Sequence, residues 1–427
     1  MGGPAEDISL ATTLVACLVP FLIVVAIYLV LEPENAADSF KAMIFQIPWT
    51  SFSRWQRRNM TRTGNPFSLP RALHSYDEYL RLSLSELGRM RKSYGMLGWK
   101  HKHIGYSLGY PQKLKNAEEA VRLNEKITHG IASLARTQFS PSETMIPAYG
   151  ISPDLGRVQE ALKHFVRDWS EEGKQEREVI FEPILAVLRD VPPNKREGMK
   201  ILVPGSGLGR LAWEISELGF QTTAVELSYF MTLPLRFLLS PKTTSHVGQH
   251  TLHPYATWWS HTRRTSDSFR TVNFPDIVPR ESDRFQLIEG DFLSHQPKGE
   301  KYDFVITLFF IDTSLNIIST LERIYDLLKP GGTWINLGPL LWTSGGSAKL
   351  ELSLDEVLSL SEMLGFRIFG HPGRDTRPAG AARRDAEDLS NSGYTRRRRT
   401  IESEYTANRL AMMKWLYQAE FWVATKT

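Results

Sequence analysis

Between residues 200 and 340 the chain repeats a rhythm that few architectures accept. Short apolar runs, Lys200 to Val203, Gln221 to Val225, Phe285 to Ile288, Phe304 to Phe309 and Thr333 to Leu337, are separated by segments with helical spacing. Runs that are apolar on consecutive residues suit strands buried on both faces, and strands alternating with helices assemble into a parallel, doubly wound α/β sheet. Ligands in such folds bind at the C-terminal ends of the strands, so the turns after each run are where chemistry is expected.

The 427 residues allow two or three folding units, and a composition 42% hydrophobic and 23% charged excludes a wholly disordered, collagenous or multi-span membrane chain. Fifty-one basic against 47 acidic side chains leave a net charge of +4, too small to argue for nucleic acid. One cysteine, Cys17, excludes a disulfide framework, a Cys-rich zinc site and an iron-sulfur cluster, and it makes a cysteine nucleophile an unattractive reading.

Ile8 to Leu31 is an uncharged stretch of 24 residues, long enough as a helix to cross a hydrocarbon core of about 30 Å. The expectation is one transmembrane anchor at 8–31, with a cleaved signal peptide as the competitor. Arg54, Arg57, Arg58 and Arg62 follow it, which by the positive-inside rule turns the large domain toward the cytosol. Proline-spaced residues 32–70 read as a linker, 71–195 as an N-terminal helical region and 196–427 as the sheet domain. Within the helical region, Asp154 to Arg189 reads as an amphipathic stretch ended by Pro192 and Pro193. Residues 372–400, rich in Arg, Ala, Gly and Ser, read as a disordered insertion.

Four turns carry the candidate site. Pro204-Gly205-Ser206-Gly207-Leu208-Gly209 links the first run to a helical segment, where glycines allow a tight turn and the free N–H groups of a helix start favour an anionic ligand. Glu226 follows the second run, 21 residues after Gly205, where a carboxylate accepts hydrogen bonds from the two hydroxyls of a ribose. Asp291 and Phe292 follow the third, an acid and an aromatic suited to an adenine amine and ring face. Leu328-Lys329-Pro330-Gly331-Gly332 precedes the fifth. The glycine spacing is G-x-G-x-G rather than that of dinucleotide dehydrogenases, and the four turns together favour S-adenosylmethionine as cofactor.

Pro204 to Glu214, Asn273 to Asp276, Phe309 to Thr313, Trp334 to Leu341 and Tyr405 to Lys414, with Phe165 to Gly173 upstream, resemble the carnosine N-methyltransferase family over approximately residues 70 to 427. The resemblance implies a Rossmann-like class I methyltransferase sheet with an added N-terminal helical region, and methyl transfer from S-adenosylmethionine to an imidazole nitrogen of carnosine, giving anserine. By the same resemblance, Gly205, Gly207, Glu226, Asp291 and Phe292 serve the cofactor. Arg167 matches the Arg of the family's upstream helix, and His164 stands where that helix has Gln. Asp312 matches the substrate-contacting acid, with Asn316 a turn further on. Tyr417 and Tyr405 match retained tyrosines, and Trp342 and Thr343 replace the family's Tyr-His pair. The loss of that His opens the substrate to related imidazole compounds or histidine-containing peptides.

In this reading Asp312 accepts the N–H of the non-reacting imidazole nitrogen and stabilises the imidazolium product, or binds a substrate amino group; Tyr417 orients the acceptor, and no metal is needed. His253 and His261 are weaker candidates for the acceptor cleft. The expected partners are a small imidazole dipeptide and, through the anchor, a membrane, with no nucleic acid. Competing readings are a protein or RNA methyltransferase, although no aromatic-basic RNA platform is evident, and an anchored scaffold that retains the fold without turnover.

Overall fold

The computed structural model describes residues 65–144, 151–297, 299–342, 348–369 and 397–427. Residues Phe67–Thr427 form one compact unit, so the boundary expected at 195/196 runs through a single body.

The chain begins its described part with helices α1 (Leu69–Asp77), α2 (Tyr79–Gly95), α3 (Trp99–Ser107) and α4 (Tyr110–Gln138). Helix α4 shows why they stay together: Leu114, Ala117, Val121, Ile131 and Ala135 recur at helical spacing and are buried. The amphipathic stretch 154–189 is two helices, α5 (Leu155–Trp169) and α6 (Lys174–Arg189). Asp154 caps the first by accepting from the Arg157 N–H at 3.2 Å. The break has a steric cause. A Cβ on Gly173 would lie 2.2 Å from the Arg167 carbonyl oxygen and 2.3 Å from that of Val166, so only glycine lets the chain turn back so closely.

The sheet then forms from β1 (Lys200–Pro204), β2 (Gln221–Glu226), β5 (Phe285–Glu289), β6 (Tyr302–Leu308), β7 (Leu328–Gly338), β8 (Phe366–Ile368), β9 (Arg399–Ser403) and β10 (Tyr417–Lys426). A separate antiparallel pair, β3 (His250–Leu252) with β4 (Val272–Phe274), lies off it. The order is β5-β2-β1-β6-β7-β10-β8, with β9 also on β10. Pairing is parallel from β5 to β7, as expected, whereas β10 runs antiparallel to β7, β8 and β9. The α/β class therefore holds with one correction: the sheet is mixed at this side.

Alternate residues of each strand enter different cores, the period of a strand buried on both faces. Ile201, Val203, Phe304, Ile306, Phe421 and Val423 pack with α1, α2, α4 to α6, α7 (Arg210–Glu217) and α8 (Tyr229–Leu239). Leu202, Val305, Trp334 and Trp422 pack on the other face with α9 (Ile317–Leu327) and α10 (Leu354–Met363). The N-terminal helices are thus one wall of the sheet's own core.

The expected membrane-anchored, cytosol-facing placement is corrected here. No helix among the described residues is long and apolar enough to cross a membrane. Residues 8–31, on which that expectation rested, lie outside the described residues, as does nearly all of the 32–70 linker. The 372–400 segment also lies mostly outside them, but its last two residues, Arg399 and Thr400, open strand β9.

Candidate active site

The strand order reverses between β1 and β6, because β1 is followed by β2 on one side and β6 lies on the other. A crevice at the C-terminal ends of such a pair is where open α/β sheets bind ligands. The turn after β1 is built for close approach. Gly205 has φ +62°, and a Cβ there would meet the Phe310 ring at 2.4 Å. Two residues on, the Gly207 N–H donates to Glu226 Oε2 at 2.8 Å, while the Ser228 N–H donates to Oε1 at 2.9 Å. Burial raises the Glu226 carboxyl above its ordinary range, opposed by these N–H groups and that of Leu227. The Ser206 hydroxyl is buried with no partner among the described residues. An orphaned hydroxyl in a glycine turn, beside a carboxylate with lone pairs to spare, fits a site whose remaining partners belong to a polyhydroxylated ligand.

Asp291 and Phe292 divide their tasks. Asp291 is exposed and caps the one-turn helix Phe292–Ser294 by accepting from the Leu293 N–H at 3.0 Å. Phe292 is buried, and its ring meets that of Phe310 edge-on at 5.4 Å, so it packs behind the crevice.

The end of α5 carries a buried ion pair. Arg167 donates to both oxygens of Asp168, at 2.6 and 3.1 Å, and the two side chains are 11% and 3% exposed. Burial disfavours both charges, but their mutual attraction wins: the Asp168 carboxyl is held well below the usual range and Arg167 is held above its own. His164 lies one turn back, its Nδ1 3.6 Å from Asp168; burial and the Arg167 charge lower its pKa, so it is neutral at pH 7.

Past β6 the chain makes its second tight turn. Phe309 takes φ +49°, uncommon for an aromatic residue, while its N–H donates to the Leu337 carbonyl at 2.9 Å. Its ring lies 5.0 Å from that of Tyr405 and 6.0 Å from that of Tyr417. Tyr405 also meets His164, ring to ring at 5.7 Å. Asp312 follows on a one-turn helix, 6% exposed, its Oδ2 accepting from the Leu341 N–H at 3.0 Å. Burial pushes its carboxyl up to about 6, against the lowering effect of that N–H.

The structure therefore brings His164, Arg167 and Phe309 around Tyr405, with Tyr417 against Phe309, and Gly205 with Phe292 around Phe310. Thr343 lies outside the described residues. Asn316 stands at the N-cap position of α9 without a side-chain capping bond, its amide donating to the Ser319 hydroxyl at 2.8 Å. His253 is a buried packing residue, its Nδ1 2.9 Å from the Phe269 carbonyl oxygen and its N–H on Asn124, and His261 is exposed. Sequence reasoning did not single out Phe309 itself. The paired aromatics Phe309-Phe310 ahead of Asp312 were the available signal.

A model for carnosine N-methyltransferase matches residues 147–373, from just before α5 to just beyond β8. The chain belongs to the carnosine N-methyltransferase family. The mouse carnosine N-methyltransferase is 32% identical over 331 residues, 74% of this chain and 76% of the relative. The Schizosaccharomyces pombe carnosine N-methyltransferase is 28% identical over 381 residues, 83% and 94% of the two chains. Among solved structures, magnesium protoporphyrin IX methyltransferase from Synechocystis aligns over 60% of this chain and 87% of its own at 12% identity with a TM-score of 0.33, too loose a likeness to bear on the argument. Within this carnosine N-methyltransferase family member the span matched by the model holds the Gly205 turn, Glu226, Asp291 and Asp312, whereas Tyr405 and Tyr417 lie beyond it.

Proposed function

We propose that this chain transfers the methyl group of S-adenosylmethionine to an imidazole nitrogen of carnosine or of a related histidine-containing dipeptide. The observation that carries the reading is Asp312: a buried carboxylate, fixed by the Leu341 N–H, on the turn after β6 that also presents Phe309 to the Tyr405 and Tyr417 rings.

Gly205, Gly207 and Glu226 would hold the ribose side of the cofactor, Asp291 the adenine amine, and Arg167 with His164 its amino-acid end. When bound, S-adenosylmethionine supplies an electrophilic methyl group on a sulfonium. That methyl would pass to the ring lone pair of the acceptor nitrogen, leaving S-adenosylhomocysteine and a positive charge on the imidazole. Asp312 acts on the opposite ring nitrogen. As a carboxylate it accepts that N–H, selects the tautomer whose lone pair faces the methyl group, and stabilises the imidazolium as it forms. The aromatic rings of Tyr405 and Tyr417 flank an acceptor that becomes cationic, a favourable cation–π setting. Positioning and electrostatics supply the acceleration in such a reaction.

The test uses the full chain with methyl-labelled S-adenosylmethionine and, in separate reactions, carnosine, free histidine and histidine-containing peptides. Label transfer to carnosine that disappears in Asp312→Asn supports the reading. Cofactor binding without transfer to any imidazole compound overturns it.

A further inference from the structure

Asp276, in the loop after β4, touches groups far from it in sequence. Its carboxylate is 9% exposed and accepts from the guanidiniums of Arg177 and Arg210, themselves 4% and 9% exposed. The Arg210 bond measures 2.6 Å. The Asp276 N–H donates to the Trp169 carbonyl at 2.8 Å.

Each arginine continues to the same place. Arg177 donates to the carbonyls of Arg167 and Ser170 at 2.6 and 2.7 Å, and Arg210 to that of Asp168 at 3.1 Å. The last carbonyls of a helix have no partners within it. At the end of α5, those of Arg167, Asp168, Trp169 and Ser170 are all taken by Asp276 or by the two arginines it pairs with. Two contacts then join this helix end to the glycine turn: Trp169 Nε1 donates to the Leu208 carbonyl at 2.9 Å, and the Arg210 guanidinium lies 4.8 Å from the centre of the Trp169 ring.

We infer that Asp276 is a positioning residue for cofactor binding, which through Arg177 and Arg210 fixes the α5 end, bearing His164 and Arg167, against the Gly205–Gly209 turn. The inference rests on the proposed reading of these two elements as halves of one cofactor site. Asp276 touches neither the cofactor nor the acceptor in this scheme. Its effect is to set the span between two groups of ligand-binding atoms, and a span error of more than about 0.5 Å is felt by a ligand that must reach both.

The experiment compares wild type, Asp276→Asn and Arg210→Lys as full chains, measuring S-adenosylhomocysteine binding by calorimetry and, with carnosine as acceptor, KM for each substrate and kcat. Asp276→Asn is expected to weaken S-adenosylhomocysteine binding tenfold or more and to raise the cofactor KM in step, with the acceptor KM within twofold of wild type. Arg210→Lys keeps the charge but loses the planar fork, and is expected to weaken binding three- to tenfold; it decides the matter should Asp276→Asn fail to fold. Wild-type affinity in either folded variant overturns the inference, and so does an equal loss for cofactor and acceptor, the mark of general loosening. Failure of the wild type to bind S-adenosylhomocysteine would instead remove the proposed function on which the inference stands.

Discussion

The guanidinium of Arg167 lies over the ring of Tyr405, 4.8 Å from its centre. One residue comes from the helix proposed to hold the cofactor, the other from the segment proposed to hold the acceptor, so the two half-sites share a wall. The ring of the same tyrosine lies 5.0 Å from that of Phe309.

The contact predicts that Tyr405→Ala raises both the cofactor KM and the acceptor KM, each by roughly two- to thirtyfold for a cation–π contact of about 0.5 to 2 kcal/mol. Tyr405→Phe keeps the ring and should stay close to wild type in both. Steady-state kinetics with each substrate varied in turn checks this.

Asp312 predicts two pH effects with one origin. Its carboxyl is pushed up to about 6, from an ordinary value near 4, by burial. If the carboxylate is the working form, kcat/KM for the acceptor falls as pH drops through about 6, and that limb is absent from the residual activity of Asp312→Asn. Stability runs the other way. A raised folded pKa contributes stability below the unfolded value and loses it as pH rises through the folded one. Asp312→Asn should therefore gain up to about 3 kcal/mol on wild type at pH 8, two units at about 1.4 kcal/mol each, with the gain vanishing below about pH 4. Denaturant unfolding at both pH values measures it.

Gly205→Ala is expected to lose S-adenosylhomocysteine binding by at least tenfold and to destabilise the fold by about 1 to 3 kcal/mol, because the left-handed backbone and the Phe310 ring at 2.4 Å both oppose a Cβ. Calorimetric titration and thermal unfolding of the same variant separate the two effects.

His164→Gln removes the titratable ring and installs the residue that the family resemblance implies at this position. Since burial and the Arg167 charge lower the pKa of His164, the wild type should lose stability as pH falls below about 6.5, and His164→Gln should lose less over that window. Cofactor affinity within about threefold of wild type at pH 8 is the accompanying expectation, read by titration.

Legibility from sequence followed burial. Strands β1 and β6 were readable because strands covered on both faces are written as nearly unbroken apolar runs, whereas β2 and β5, interrupted by Gln221, Thr222, Thr223 and Gln286, were readable only from their place in the strand-helix alternation. Strands β3, β4 and β8 have three residues each, too few to show a period. Strand β10 is hard to read because Trp415, Tyr417, Phe421 and Trp422 fit helix and strand alike, and its antiparallel entry beside β7 leaves no local mark. Gly205 and Glu226 were legible because strand and helix lengths fix their spacing. The Asp276 pairs were not, since Arg210 lies 66 residues from it and Arg177 lies 99. Nor does any propensity announce the left-handed Phe309, which tertiary packing imposes.

Strands β8 and β9 lie end to end along one edge of β10: Phe366–Ile368 against Ala424–Lys426, and Arg399–Ser403 against Tyr417–Phe421. Both are anchored to the same third strand, so each holds its own stretch of β10 without touching the stretch the other holds. A chain cut before Tyr417 would accordingly lose β8 and β9 from the sheet together with β10, and β7 would become its edge.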